Sequence, residues 1–248
     1  MNDPIRAGDW VEVRSRDEIL STLDSQGCLD GMPFMPEMLA FSGRRMRVQA
    51  VAHKTCDTVH QTGGRSIRNA VHLEAARCDG SAHDGCQAGC LMFWKTAWVR
   101  PPGETTAPAK KTSGPIVDER RIADCTVVRG PIGEIQRYRC QATQLHDYSK
   151  LLPWWDVRQY WRDIQTRNAT AREVRITLLL AMVFQLRRLP FAYRLTRGLY
   201  DRLHRKFYGE PAPQGGGLIA QGARTPDERL GLEPGDFVQV KPREEILK

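Results

Sequence analysis

Apolar and polar residues alternate in "WVEVR" (Trp10–Arg14), the period of a half-buried strand. Ser15 and Glu18 then stand at capping-box spacing, and Ile19, Leu20 and Leu23 follow on one helical face, which predicts a short helix. "GMPFMPEM" (Gly31–Met38) carries two prolines and cannot form a regular helix. "RMRVQAVAHK" and "NAVHLEAA" read as strands, with "FWKTAWVR" as a third. "TVVRGPIGEIQRYRC" predicts a hairpin turning at Gly130-Pro131. Beyond it the period becomes helical. Trp155, Tyr160, Trp161 and Ile164 fall near one face. Thr170 and Glu173 form a second capping box, and the helix they start is expected to reach Leu189, before Pro190. Phe191, Leu195, Leu199, Leu203 and Phe207 recur every fourth residue, and Gly209 and Pro211 end that helix. Three helices with such stripes are expected to bury a small core together.

Two stretches rich in Pro, Gly and small residues, Pro101–Pro115 and Gly209–Pro226, show no hydrophobic period and read as linkers. A repeat lies beyond the second. "GDWVEVRSRDEIL" at Gly8–Leu20 returns as "GDFVQVKPREEIL" at Gly235–Leu247, with eight of thirteen positions identical. The second copy stops where its first helix would begin, which implies a fragment or a lone strand docking on the first module. The GD-aromatic-V-x-V opening is similar to the start of SH3-like and KOW barrels; the likeness covers about six residues and carries no function. The expected fold class is α+β. Residues 1–103 form a small SH3-like β-barrel module with a cysteine cluster, 104–150 a linker and hairpin, and 151–209 a basic three-helix module. A linker at 210–229 and the start of a second barrel repeat at 230–248 follow.

Charge sharpens this division. The net charge is +8, yet residues 1–103 hold equal numbers of basic and acidic side chains, and 151–209 carry the whole excess. A localised basic surface suits an anionic partner: nucleic acid or another polyanion, an acidic protein face, or a membrane surface. Arg194, Arg197, Arg202 and Arg205 lie off the apolar stripe of the last helix and are the candidate anion-binding residues. The longest apolar run, Ile176–Phe184, is shorter than the roughly 20 residues a spanning helix needs. The N-terminus has no apolar signal region. Together these give a cytoplasmic expectation, with seven cysteines as reduced thiols or metal ligands rather than disulfides.

The candidate chemistry sits in "CDGSAHDGCQAGC", Cys78–Cys90, which packs three thiols and an imidazole into thirteen residues. Thiolates held close together grip a metal because each adds a charge and a bond of fixed length. Cys56, Cys78, Cys86 and Cys90 are the expected ligands, with His83 as a substitute for Cys56. Iron–sulfur sites accept varied spacings and are the first choice; zinc is the alternative, since its usual C-x2-C pair is absent. "CDGSAH" resembles the CDGSH iron–sulfur family. Ala82 lengthens the motif by one residue and the upstream C-x-C is missing, so that family's ligands are not carried over. Cys28, Cys125 and Cys140 read as small buried hydrophobes. Trp94 and Trp98 read as core or as a shield for the site.

No phosphate-loop, dinucleotide, zinc-protease or nucleophile-elbow motif is present. Asp79 and Asp84 flank His83 but read as a solvated loop. The expected function is a metal-binding protein with a structural or electron-carrying centre that works with a protein partner. One alternative is a polyanion binder whose metal only holds the fold. Another is an enzyme with its site between repeats.

Overall fold

The computed structural model describes residues 4–104, 118–128, 137–186, 193–209 and 231. The fold is α+β, with antiparallel sheets. Two compact units are distinguished, Met1–Val174 and Arg175–Lys248. The second barrel copy at 235–247, most of both linkers and the turn of the 127–138 hairpin lie outside the described residues.

The first unit opens with β1 (Trp10–Val13), whose Val11 and Val13 point into the core while Trp10 and Glu12 face out. α1 (Arg16–Leu20) starts with the expected capping box: the Glu18 amide donates to Ser15 Oγ, and the Ser15 amide donates to the Glu18 carboxylate at 2.9 Å. β2 (Cys28–Leu29) and β3 (Met32–Pro33) make a tight hairpin. The Met- and Pro-rich segment becomes a 3₁₀ helix, Pro36–Phe41. Then come β4 (Arg45–Val51), β5 (Lys54–Asp57), β6 (Gly63–Ile67), β7 (Ala70–Leu73) and β8 (Trp94–Lys95). A 3₁₀ turn at Thr96–Trp98 leads to β9 (Val99–Arg100). The expected strand over 93–100 is therefore two short strands split by that turn.

β1 is the pivot of a five-stranded sheet ordered β8-β7-β4-β1-β9, so the end of this segment pairs with its beginning. The β1–β4 register sets Trp10 opposite Arg47, and the Arg45 guanidinium lies 5.1 Å from the Trp10 ring centre. Across β1–β9, Glu12 faces Arg100 and forms an ion pair with it. Beneath the sheet, Phe34 meets Trp98 edge-on at 5.1 Å and Phe41 meets Trp94 at 5.7 Å. Trp94 and Trp98 are fully buried, as expected of core tryptophans.

The rest of the first unit wraps this core. α2 (Glu119–Thr126), which the sequence reading missed, is capped by Asp118 and drives Ile122 into the core. β10 (Val127–Val128) and β11 (Arg137–Tyr138) are the arms of the expected hairpin. After α3 (Leu145–Tyr148), β12 (Ser149–Leu151) joins β6 and β5 in a three-stranded sheet. α4 (Arg158–Gln165) docks through Asp163, which bridges Lys54 and His53, and Asn168 clamps the Val51 backbone with two 2.8 Å bonds. Trp155 and Trp161, expected in a helical core, are instead exposed.

α5 (Ala171–Leu186) begins at the Thr170–Glu173 capping box; its expected continuation to Leu189 is outside the described residues. The second unit holds most of α5 and all of α6 (Tyr193–Tyr208), with Phe184 and Tyr200 in ring contact at 6.1 Å.

Candidate metal centre

The 78–90 loop is tied at both ends. Arg77 bridges to Leu91, and the Cys78 amide donates to the Cys90 carbonyl at 2.9 Å. Inside it, the Gly80 carbonyl accepts from the amides of both His83 and Gly85 at 3.0 Å. That tight turn needs Gly80, whose φ is +75° and whose missing Cβ would stand 2.1 Å from the Cys86 carbonyl oxygen. The turn folds His83 back toward Cys78.

The 3₁₀ helix presents Glu37 to the same point. Cys78 Sγ lies 3.4 Å from His83 Nε2 and 3.8 Å from Glu37 Oε1, and His83 Nδ1 lies 3.1 Å from Glu37 Oε1. Among the described residues, Glu37, Cys78 and His83 form a group that could hold a metal ion. The imidazole approaches Cys78 through Nε2 and Glu37 through Nδ1, and only one of these nitrogens could serve an ion. With one ligand atom from each residue, the group's atoms lie within 4.8 Å of one another, whereas tetrahedral ligands of zinc stand roughly 3.3–3.6 Å apart.

The polar chemistry around the group is unfinished. The His83 and Glu37 side chains are only 7% and 2% exposed. Yet among the described residues His83 Nδ1 and Glu37 Oε2 have no hydrogen-bond partner, the 3.1 Å approach of Nδ1 to Oε1 lacking hydrogen-bond geometry. Leaving buried polar atoms unmatched costs about 1–3 kcal/mol each. The Ala82 amide donates to Glu37 Oε1 at 3.2 Å, fixing the carboxylate against the loop. Burial, then the nearby Glu37, Cys90 and Cys140, push the Cys78 thiol up to about 11, against a backbone hydrogen bond at Gly80. Cys90 is also raised, first by burial and then by Cys140 and Cys86.

The structure brings Cys78 and His83 together and leaves the other expected ligands outside the group. Cys86 and Cys90 are exposed in the same loop, and Cys90 neighbours Cys140 electrostatically. Cys56 stands exposed on β5 opposite Gly64, because the unforeseen β5–β6 hairpin carries it into the three-stranded sheet. One thiol, not four, joins the group, so the iron–sulfur expectation lacks its cluster of sulfurs here. Glu37 was missed, although a single carboxylate inside the apolar run "MPFMPEML" was a usable signal. Cys140, read as a small hydrophobe, sits within electrostatic reach of Cys78 and Cys90; no spacing rule connects positions so far apart. Of the candidate anion-binding residues, Arg202 and Arg205 are exposed on α6, and the side chains of Arg194 and Arg197 lie outside the described residues. No family model matches the chain, and neither the curated proteins nor the solved structures gave a match. Among the described residues, no helix is long and apolar enough to cross a membrane.

Proposed function

We propose that this chain is a metal-binding protein whose Glu37–Cys78–His83 group takes a single divalent ion, zinc by preference. The observation that carries the reading is the buried Glu37–Cys78–His83 group, with one ligand atom from each residue within 4.8 Å of the others, in which His83 Nδ1 and Glu37 Oε2 have no hydrogen-bond partner among the described residues. A mixed nitrogen, sulfur and oxygen donor set suits a borderline-soft ion better than an iron–sulfur cluster, which needs several thiolates. Cys90 or Cys140 supplies a fourth ligand after a local side-chain adjustment. The centre is structural: it pins the 78–90 loop to the 3₁₀ helix that borders the aromatic core. The strand order of the five-stranded sheet, with a 3₁₀ turn before the strand that returns to β1, supports an SH3-like barrel for this module. Seven free cysteines support a reducing, cytoplasmic setting.

Elemental analysis of the intact protein tests the reading. Stoichiometric zinc is expected, lost in Cys78→Ser and Glu37→Gln. Metal-free protein that binds no added zinc would end it, and a visible absorbance band from anaerobic preparations would restore the iron–sulfur reading. A second reading rests on α6, where the exposed Arg202, Arg205 and Lys206 line a shallow depression together with Asp201. There a polyanion is the partner, and heparin binding that weakens steeply with salt is the test.

A further inference from the structure

Among the described residues, 151–161 contain five large, exposed apolar side chains. Leu151, Trp154, Trp155, Val157 and Trp161 range from 62% to 71% exposed. Trp154 and Trp155 stand edge to face, with ring centres 5.9 Å apart, on the short connection between β12 and α4. That connection is held firmly. The Trp154 carbonyl accepts from the Tyr160 hydroxyl at 2.8 Å, and the Pro153 carbonyl accepts from the Gln159 amide group at 3.0 Å. The tryptophans are thus presented on a braced turn. An uncovered cluster of this kind marks an interaction site.

Charge beside the patch identifies the partner. A cleft of about 630 Å³ adjoins it, sharing Leu152 and Gln159 with the hollow next to the tryptophans. Five cations line that cleft: Arg68, Lys95, Lys150, Arg158 and Arg162. Asp30 already holds Lys95 at 3.0 Å and Asp156 holds Arg158 at 2.8 Å. Arg68, Lys150 and Arg162 make no ion pair with a described residue, and Asp147 is the one remaining carboxylate of the lining. On α4, Trp161 shares a face with Arg158 and lies next to Arg162, so aromatic and basic groups alternate at the rim.

We propose that residues 150–162 dock this protein on an anionic bilayer surface. Trp154, Trp155 and Leu151 enter the boundary between headgroups and acyl chains, and a lipid phosphate seats against Lys150, Arg162 and Arg68. Tryptophan favours that boundary because its ring is apolar and its N–H stays hydrated. Leu151 and Val157 have no π face, so they add nothing to stacking on nucleic-acid bases but gain from hydrocarbon. A symmetric second copy would set the basic rim against itself. Apolar insertion joined to attraction for anionic lipid is the pattern of surface-bound proteins.

The test is flotation of the full-length protein with phosphatidylcholine vesicles, with and without phosphatidylglycerol. Wild-type protein is expected to float with the anionic vesicles only, less so as salt rises, with a blue shift of tryptophan emission. Trp154→Ser/Trp155→Ser should bind about tenfold more weakly or worse and lose the blue shift, although the buried Trp94 and Trp98 remain. Lys150→Glu/Arg162→Glu should abolish the preference for anionic vesicles. All four side chains are exposed, so circular dichroism and the melting temperature should stay at wild-type values. Three results overturn the proposal. One is no flotation with anionic vesicles, and another is unchanged flotation of the tryptophan variant. The third is dimerisation or single-stranded nucleic-acid binding through these tryptophans without vesicle binding.

Discussion

Replacing Gly80 with alanine separates a steric demand of the 78–90 loop from ordinary backbone strain. Gly80 has φ +75°, and an added Cβ would meet Cys86 at 2.1 Å from its oxygen, 2.5 Å from its nitrogen and 2.8 Å from its carbonyl carbon. All three are backbone atoms, so no side-chain rotation relieves the contact. The loop must open by about 1 Å or more to reach ordinary contact distances near 3.5 Å, which breaks the bonds from the His83 and Gly85 amides to the Gly80 carbonyl. Gly85 and Gly89 are the controls. Their φ values are +64° and +54°, with nothing within 4 Å of an added Cβ. Alanine there costs about 1 kcal/mol of left-handed strain and leaves the group intact. Gly80→Ala carries the same strain and also moves His83 away from Cys78, so zinc affinity should fall about 10- to 100-fold. Competition against a chromophoric chelator measures that affinity. Thermal denaturation of the metal-free proteins checks the clash independently, with Gly80→Ala melting below both controls. Equal affinities and equal melting temperatures for Gly80→Ala and Gly85→Ala would refute the reasoning.

Other outcomes follow from the packing. Burial lowers the pKa of His53 and His72, in each case against hydrogen bonds that favour protonation. The unfolded chain therefore takes up protons first, and stability present above about pH 6.5 should decline as pH falls, by up to about 1.4 kcal/mol per pH unit for each histidine. His72→Gln should make denaturant midpoints less dependent on pH between about 7 and 5. Asp163 is buried and serves both Lys54 and His53, so Asp163→Asn should cost about 2 kcal/mol in urea unfolding, and Lys54→Met should recover part of that loss. Trp98 Nε1 donates to Thr22 Oγ1 at 3.0 Å, whereas Trp94 Nε1 has no hydrogen-bond partner among the described residues. Trp98→Phe should therefore destabilise by about 1 kcal/mol more than Trp94→Phe in the same assay.

Local signals were strong where one residue's neighbours decide its conformation. The capping boxes at Ser15 and Thr170 need only side chains three positions apart, and both form as read. The alternation of β1 likewise expresses a single element's period, whereas of the last helix's stripe Phe191 and the side chain of Leu195 lie outside the described residues and Leu199 is exposed. Sequence failed where the partner was distant. Among the described residues of α2, Ile122 is the one buried apolar side chain, too little for a period. The β5–β6 hairpin has glycines and polar residues in place of alternating apolar ones, because part of its lining is hydrogen bonding, with Arg65 donating to Ser149 from the neighbouring β12. Tryptophans at 155 and 161 looked like core because aromatic residues usually are, yet both are exposed.

The sequence by itself determined the α+β class, the ends of several elements, the localised charge and the concentration of sulfur and imidazole at 78–90, since each follows from residues within a few positions of one another. Only the tertiary structure decided that Glu37 rather than Cys56 meets Cys78 and His83. Ligand geometry depends on which strands pair and how a loop closes, and those are set by contacts across 40 or more positions, where local periodicity carries no information.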